Sequence, residues 1–254
     1  MTWCYGYQPW MDYHVPGAWR LVMAREPLDR LVSLYYFQQG YTRARESTHV
    51  SSQQRFNADP SYEDPHSTKE RRRHLHFFKR YEAVSSSVWT GAQWRWLREG
   101  TPNRSLDEVI HMLLNGAFLV GLTGMFDETL MLWRHFMGLF VEDMLYLKYK
   151  HDFSHPSFEQ WHPADQVMAR ELIQLSGDEK YYATVQQVFE HQVKFYGGWD
   201  KLNNDTRAFQ AVHNQLSRQC HNAPQGSFYQ GVDERVICMV AKYRDSGMAA
   251  QFSE

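Results

Sequence analysis

Residues 20–37 read Arg-Leu-Val-Met-Ala-Arg-Glu-Pro-Leu-Asp-Arg-Leu-Val-Ser-Leu-Tyr-Tyr-Phe, and their period changes halfway. The continuous apolar run Leu21-Val22-Met23-Ala24 predicts a short buried strand. Arg25 ends it. Glu26-Pro27 breaks the strand and opens a helix, because proline suits the first helical position. Leu28, Leu31, Val32 and Tyr35 then recur at helical spacing, predicting a helix over 27–38. Arg25 is thus placed at a strand tip, and Ser33 about two turns into the next helix. A guanidinium, a hydroxyl and the positive end of a helix can converge on one anion, and phosphate is the natural ligand. Turn chemistry with a surface ion pair would leave the same local pattern.

The segment Arg25-Glu26-Pro27-Leu28-Asp29-Arg30-Leu31-Val32-Ser33-Leu34-Tyr35-Tyr36-Phe37 resembles the 3′-phosphate-binding motif of sulfotransferases that use 3′-phosphoadenosine 5′-phosphosulfate (PAPS). It is closest to the Golgi carbohydrate branch with the uronyl and heparan sulfate 2-O-sulfotransferases. Arg-Asp/Glu-Pro, the spaced Arg, the spaced Ser and the trailing aromatics are all present. The resemblance implies that Arg25 and Ser33 hold the 3′-phosphate of PAPS, or of its product adenosine 3′,5′-bisphosphate (PAP). It implies sulfuryl transfer to a carbohydrate hydroxyl, with a glycan as partner and no metal. It also implies an α/β, P-loop-kinase-like fold: a mainly parallel sheet flanked by helices, with a helical C-terminal half.

Ala117–Thr123, followed by Phe126-Asp127-Glu128, resembles the family's late Val-Gly-Leu/Val-Thr-Glu segment, although Gly124 stands where the Glu is usual. Thr123 is the cofactor-side position carried over from it. Asp178 before Tyr181 resembles an Asp-x-x-Tyr stretch that precedes the family's closing helix. The resemblance spans about residues 5–198. The expected division is therefore a sulfotransferase-like domain over 1–200 and a partly helical C-terminal extension over 201–254.

Two family parts have no counterpart. The 5′-phosphosulfate loop needs a Lys and a backbone amide cradle ahead of the Arg-Glu-Pro motif. No Lys precedes Lys69. Two explanations stay open: a truncated product that begins inside the domain, which is favoured, or a degenerate relative that binds nucleotide or glycan without turnover. The family's carbohydrate branch often uses a His as base toward the acceptor hydroxyl. His14 is the only histidine before Arg25, and it is the candidate base; a surface or capping histidine beside Pro16 is the alternative.

Composition narrows the rest. The chain has 254 residues, 43% hydrophobic and 15% aromatic, which can fill a core or line grooves. Lys plus Arg is 27 against 29 for Asp plus Glu, so nothing global points to nucleic acid. No run is apolar enough for a membrane span, and no signal peptide is visible, although family resemblance implies a Golgi membrane setting. Cys4, Cys220 and Cys238 suggest neither a disulfide framework nor a zinc site, and one disulfide is possible without being inferable. No Walker-type loop supports a kinase-like enzyme.

Further expectations follow from spacing. Residues 39–68 read as a long loop. The basic run 69–80 reads as a solvated helix face, or as a patch for an anionic glycan or the cofactor's phosphates. His74 and His76 are expected at the surface. A helix over 107–114 with Ser105 as N-cap, a strand over 118–123, a long helix over 126–149, and helices over 161–175 and 181–196 complete the pattern. Beyond about 200 the chain turns polar, with one helix expected near 234–242.

Overall fold

The computed structural model describes residues 20–46, 64–83, 93–98, 105–147, 155–223 and 233–247. Its elements in chain order are β1 (Leu21–Ala24), α1 (Pro27–Glu46), α2 (Thr68–Ala83), α3 (Leu106–Leu114), β2 (Leu119–Leu122), α4 (Phe126–Met137), α5 (Pro163–Ser176), α6 (Asp178–Tyr196), α7 (Trp199–Gln219) and α8 (Glu234–Asp245). Short 3₁₀ segments lie at Gln93–Arg98, Thr123–Met125, Val141–Met144 and Phe158–Gln160. The described residues are mostly helical. Their one sheet is a parallel pair, β1 with β2, compatible with the α/β class but far smaller than the expected sheet.

The chain divides into two compact units. The first comprises residues 1–18, 24–117 and 151–185, and the second residues 19–23, 118–150 and 186–254. The boundary expected at 200 falls inside α7, within the second unit.

In the first unit, α1, α2 and α5 pack around an aromatic core. Leu31, Tyr35, Phe77, Phe78, Trp161, Leu172 and Ile173 are all buried there. Trp161 lies at its centre, 4.2 Å from the His74 ring and 5.5 Å from that of Tyr35. The α1 helix runs to Glu46 rather than stopping near 38. Gly40 costs about 1 kcal/mol inside a helix, too little to end one whose neighbours favour it. The expected loop therefore starts later, and residues 47–63 lie outside the described set. The α3 helix follows the expected chemistry: Ser105 and Glu108 form a capping box, and Asn115 closes the C-terminus.

In the second unit, β2 is buried along its whole length. Leu119 N–H donates to the Arg20 carbonyl at 2.8 Å, so Leu119 faces β1. Val120 therefore faces the open edge, because hydrogen-bonding direction alternates along a strand. Side chains occupy that edge. Trp133 Nε1 donates to the Val120 carbonyl at 3.2 Å. The Gln192 amide, oriented with its nitrogen toward that carbonyl, meets both backbone groups of Val120 at 3.1 Å. Thr129 Oγ1 accepts from Leu122 N–H at 3.0 Å. Gly121 permits this close crossing of α4 over β2: an added Cβ would stand 2.2 Å from Thr129 Cγ2.

Two helical expectations change here. The long helix over 126–149 ends at Met137, because Gly138 turns left-handed (φ +65°) and hands its N–H to His135. A 3₁₀ turn then leads to Tyr146, whose hydroxyl donates to buried Asp127 at 2.6 Å. The polar, partly helical segment expected after 200 carries a long helix ahead of the one expected near 234–242: α7, with Leu202, Phe209, Val212 and Leu216 buried at helical spacing. α7 packs on α4 and on α8. A disulfide joins Cys220, just after α7, to Cys238 in α8. Cys4 lies outside the described residues.

Candidate functional site

The strand-to-helix corner at Arg25 forms as its sequence predicts. β1 ends at Ala24 and α1 starts at Pro27, with Arg25 and Glu26 between them. The helix start is capped by its own chain. Asp29 N–H donates to Glu26 Oε2 at 2.6 Å, and Arg30 N–H donates to the Glu26 carbonyl at 2.9 Å. The Glu26 carboxylate therefore caps the Asp29 amide, the Glu26 carbonyl accepts the first intrahelical bond, and Pro27 has no N–H to offer.

Arg25 directly follows β1, and Ser33 lies within α1. Both are half-buried. Neither the Arg25 guanidinium nor the Ser33 hydroxyl has a partner among the described residues. Ser33 follows Pro27 by six positions, which puts it about 9 Å along the helix axis. Arg30, at the intervening turn, belongs to the scaffold: its Nη1 lies 3.9 Å from Asp178 Oδ2, and Asp178 is completely buried at the start of α6.

A residue without any sequence signal holds the corner. Gln93, from the 3₁₀ segment, accepts from Arg25 N–H through Oε1 at 3.0 Å and donates from Nε2 to the Arg25 carbonyl at 2.7 Å. Gln93 N–H in turn donates to Asp178 Oδ1 at 2.6 Å. The next residue, Trp94, donates from Nε1 to the Ser176 carbonyl at 2.7 Å. The Asp178-x-x-Tyr181 stretch thus enters the site through its carboxylate.

The local charge is close to balanced. Arg25 and Arg30 stand against Glu26, Asp29 and Asp178. Tyr182 registers the two exterior carboxylates: burial raises its phenol above the ordinary range, and Glu26 and Asp29 raise it further. With Arg30 committed to Asp178, Arg25 is the guanidinium left to meet an anion.

The α1 helix is held from behind by buried polar groups. Tyr35 OH donates to Glu70 Oε1 at 2.5 Å, and Arg73 Nη1 lies 2.9 Å from Glu70 Oε2. His74 is fully buried, contrary to its expected surface position, with Nδ1 2.9 Å from Asp165 Oδ2 and its ring stacked on Trp161. Desolvation lowers the His74 pKa, and Asp165 opposes that shift. The helical period of 69–80 turns His74 inward and leaves Lys69, Arg72, His76 and Lys79 exposed along one outer stripe.

Thr123 is exposed at the head of the 3₁₀ turn after β2, in the second unit. His14, the candidate base, lies outside the described residues. Among the described residues, no group of three or more His, Cys, Asp or Glu is placed to hold a metal, and no helix is long and apolar enough to cross a membrane.

No protein-family model, curated protein or solved structure matches the chain.

Proposed function

We propose that this chain is a PAPS-dependent carbohydrate sulfotransferase whose Arg25–Ser33 corner grips the nucleotide's 3′-phosphate. One observation carries the reading: a half-buried guanidinium at a strand tip has no partner among the described residues, while the neighbouring arginine is tied to Asp178. A half-buried cation that makes no ion pair with the described residues carries a desolvation cost that a phosphate can offset through charge-assisted, two-point hydrogen bonds. Ser33 adds one hydroxyl donor from the following helix. In a P-loop-kinase-like arrangement, β1, the Arg-Glu-Pro corner and α1 form one strand–helix unit of the sheet. His14 would take the acceptor's proton.

The partner suggested by charge is an anionic glycan. Lys69, Arg72, His76 and Lys79 line the outer face of α2 over about 15 Å and would suit sulfate or uronate groups. The Cys220–Cys238 disulfide suits an oxidising compartment such as the Golgi lumen. A second reading, binding without transfer, keeps the same phosphate grip. Turnover of labelled PAPS separates the two.

Ser33→Ala tests the grip. Loss of one hydroxyl-to-phosphate hydrogen bond, worth about 1.5 kcal/mol, is expected to weaken PAP binding about tenfold in calorimetry. Unchanged affinity would remove Ser33 from the phosphate site.

A further inference from the structure

We propose that Gln93 is a positioning residue for Arg25, so that phosphate affinity depends on a side chain that never touches the ligand. The inference rests on the phosphate-grip reading above. Arg25 follows the last residue of β1 and precedes the Glu26 cap, so its backbone belongs to neither the strand nor the helix. The amide of Gln93 supplies what a neighbouring strand would supply. It takes the N–H and gives to the C=O of the same residue, at 3.0 and 2.7 Å. That cyclic pair fixes φ and ψ at Arg25, and hence the direction in which the guanidinium leaves the backbone.

The clamp is itself anchored. Gln93 N–H meets Asp178 Oδ1 at 2.6 Å, and Asp178 has no solvent exposure. The anchor sits at a tight join: Gly177, between α5 and α6, has φ +79°, and an added Cβ there would stand 2.5 Å from Leu106 Cδ2. The chain that holds Arg25 comes from 68 residues away and is braced from 85 residues further on. Without the clamp, binding phosphate would also have to order the corner, and fixing one residue's backbone costs about 1–2 kcal/mol.

The test compares PAP with adenosine 5′-monophosphate, which lacks the 3′-phosphate, by calorimetry on the full chain. Gln93→Met keeps length and bulk but removes both hydrogen bonds. It is expected to lower PAP affinity about tenfold, leave 5′-monophosphate affinity unchanged, and so shrink the ratio of the two. A merely structural role would lower both affinities together. Gln93→Glu, which keeps the acceptor and loses the donor, provides a second variant and is expected to shrink the ratio too. Trp94→Phe, which loosens the same segment without touching Arg25, is expected to preserve it. If Arg25→Ala collapses the ratio while both Gln93 variants keep it, the positioning role is overturned and the phosphate grip stands. If Arg25→Ala also keeps the ratio, the grip falls and the positioning role falls with it.

Discussion

Arg25→Ala is expected to weaken PAP binding about a hundredfold while shifting Tm by no more than about 2 °C. The affinity effect exceeds that of an ordinary hydrogen bond for two reasons. A bidentate guanidinium–phosphate contact in a half-buried site is worth about 3 kcal/mol. The substitution also leaves Glu26 and Asp29 beside the bound phosphate with no free cation to offset them, since Arg30 is held by Asp178. The stability effect is small because the Arg25 side chain makes no hydrogen bond or ion pair with the described residues, and Gln93 binds only its backbone. A large fall in Tm with unchanged PAP affinity would assign Arg25 to the scaffold instead.

Trp161→Ala carries the largest expected cost in stability, about 3–5 kcal/mol. Its side chain is 1% exposed and meets the rings of Tyr35, Tyr36, His74, Phe78 and Phe158. Truncation leaves a cavity among rings that α1, α2 and α5 cannot close without moving their backbones. It also strips the stacking partner from His74, a buried ring whose Nε2 has no hydrogen-bond partner among the described residues. Thermal unfolding should show a fall in Tm of about 10 °C, with Trp161→Phe well under half of that. A loss below about 1 kcal/mol would mean that this cluster does not hold α1.

The parts of this fold written in local pattern were legible beforehand. Leu21–Ala24, the Glu26-Pro27 break and the Ser105/Glu108 capping box each need only neighbouring residues to form. The places of Arg25 just after a strand and of Ser33 on the next helix were legible for the same reason, since one strand end and one helix start set them. What failed depended on partners far along the chain. α7 was missed because its apolar stripe, Leu202 to Leu216, is diluted by polar residues on every other face. The end of α4 was missed because Gly138 acts through a positive φ that hydrophobic spacing does not reveal. His74 looked like a surface group in a basic run, and only the packing of α1 and α5 against α2 buries it. Gln93 carries no motif at all; its role exists only because Asp178 and the Arg25 backbone meet it in space. The Cys220–Cys238 pairing likewise follows from the packing of α7 with α8.

A crystal structure of the chain with PAP bound tests the central claim most directly. The account predicts the 3′-phosphate between the Arg25 guanidinium and the Ser33 hydroxyl, within about 3.2 Å of each, with Arg30 still on Asp178. A nucleotide bound elsewhere, or a 3′-phosphate that meets neither group, would contradict it.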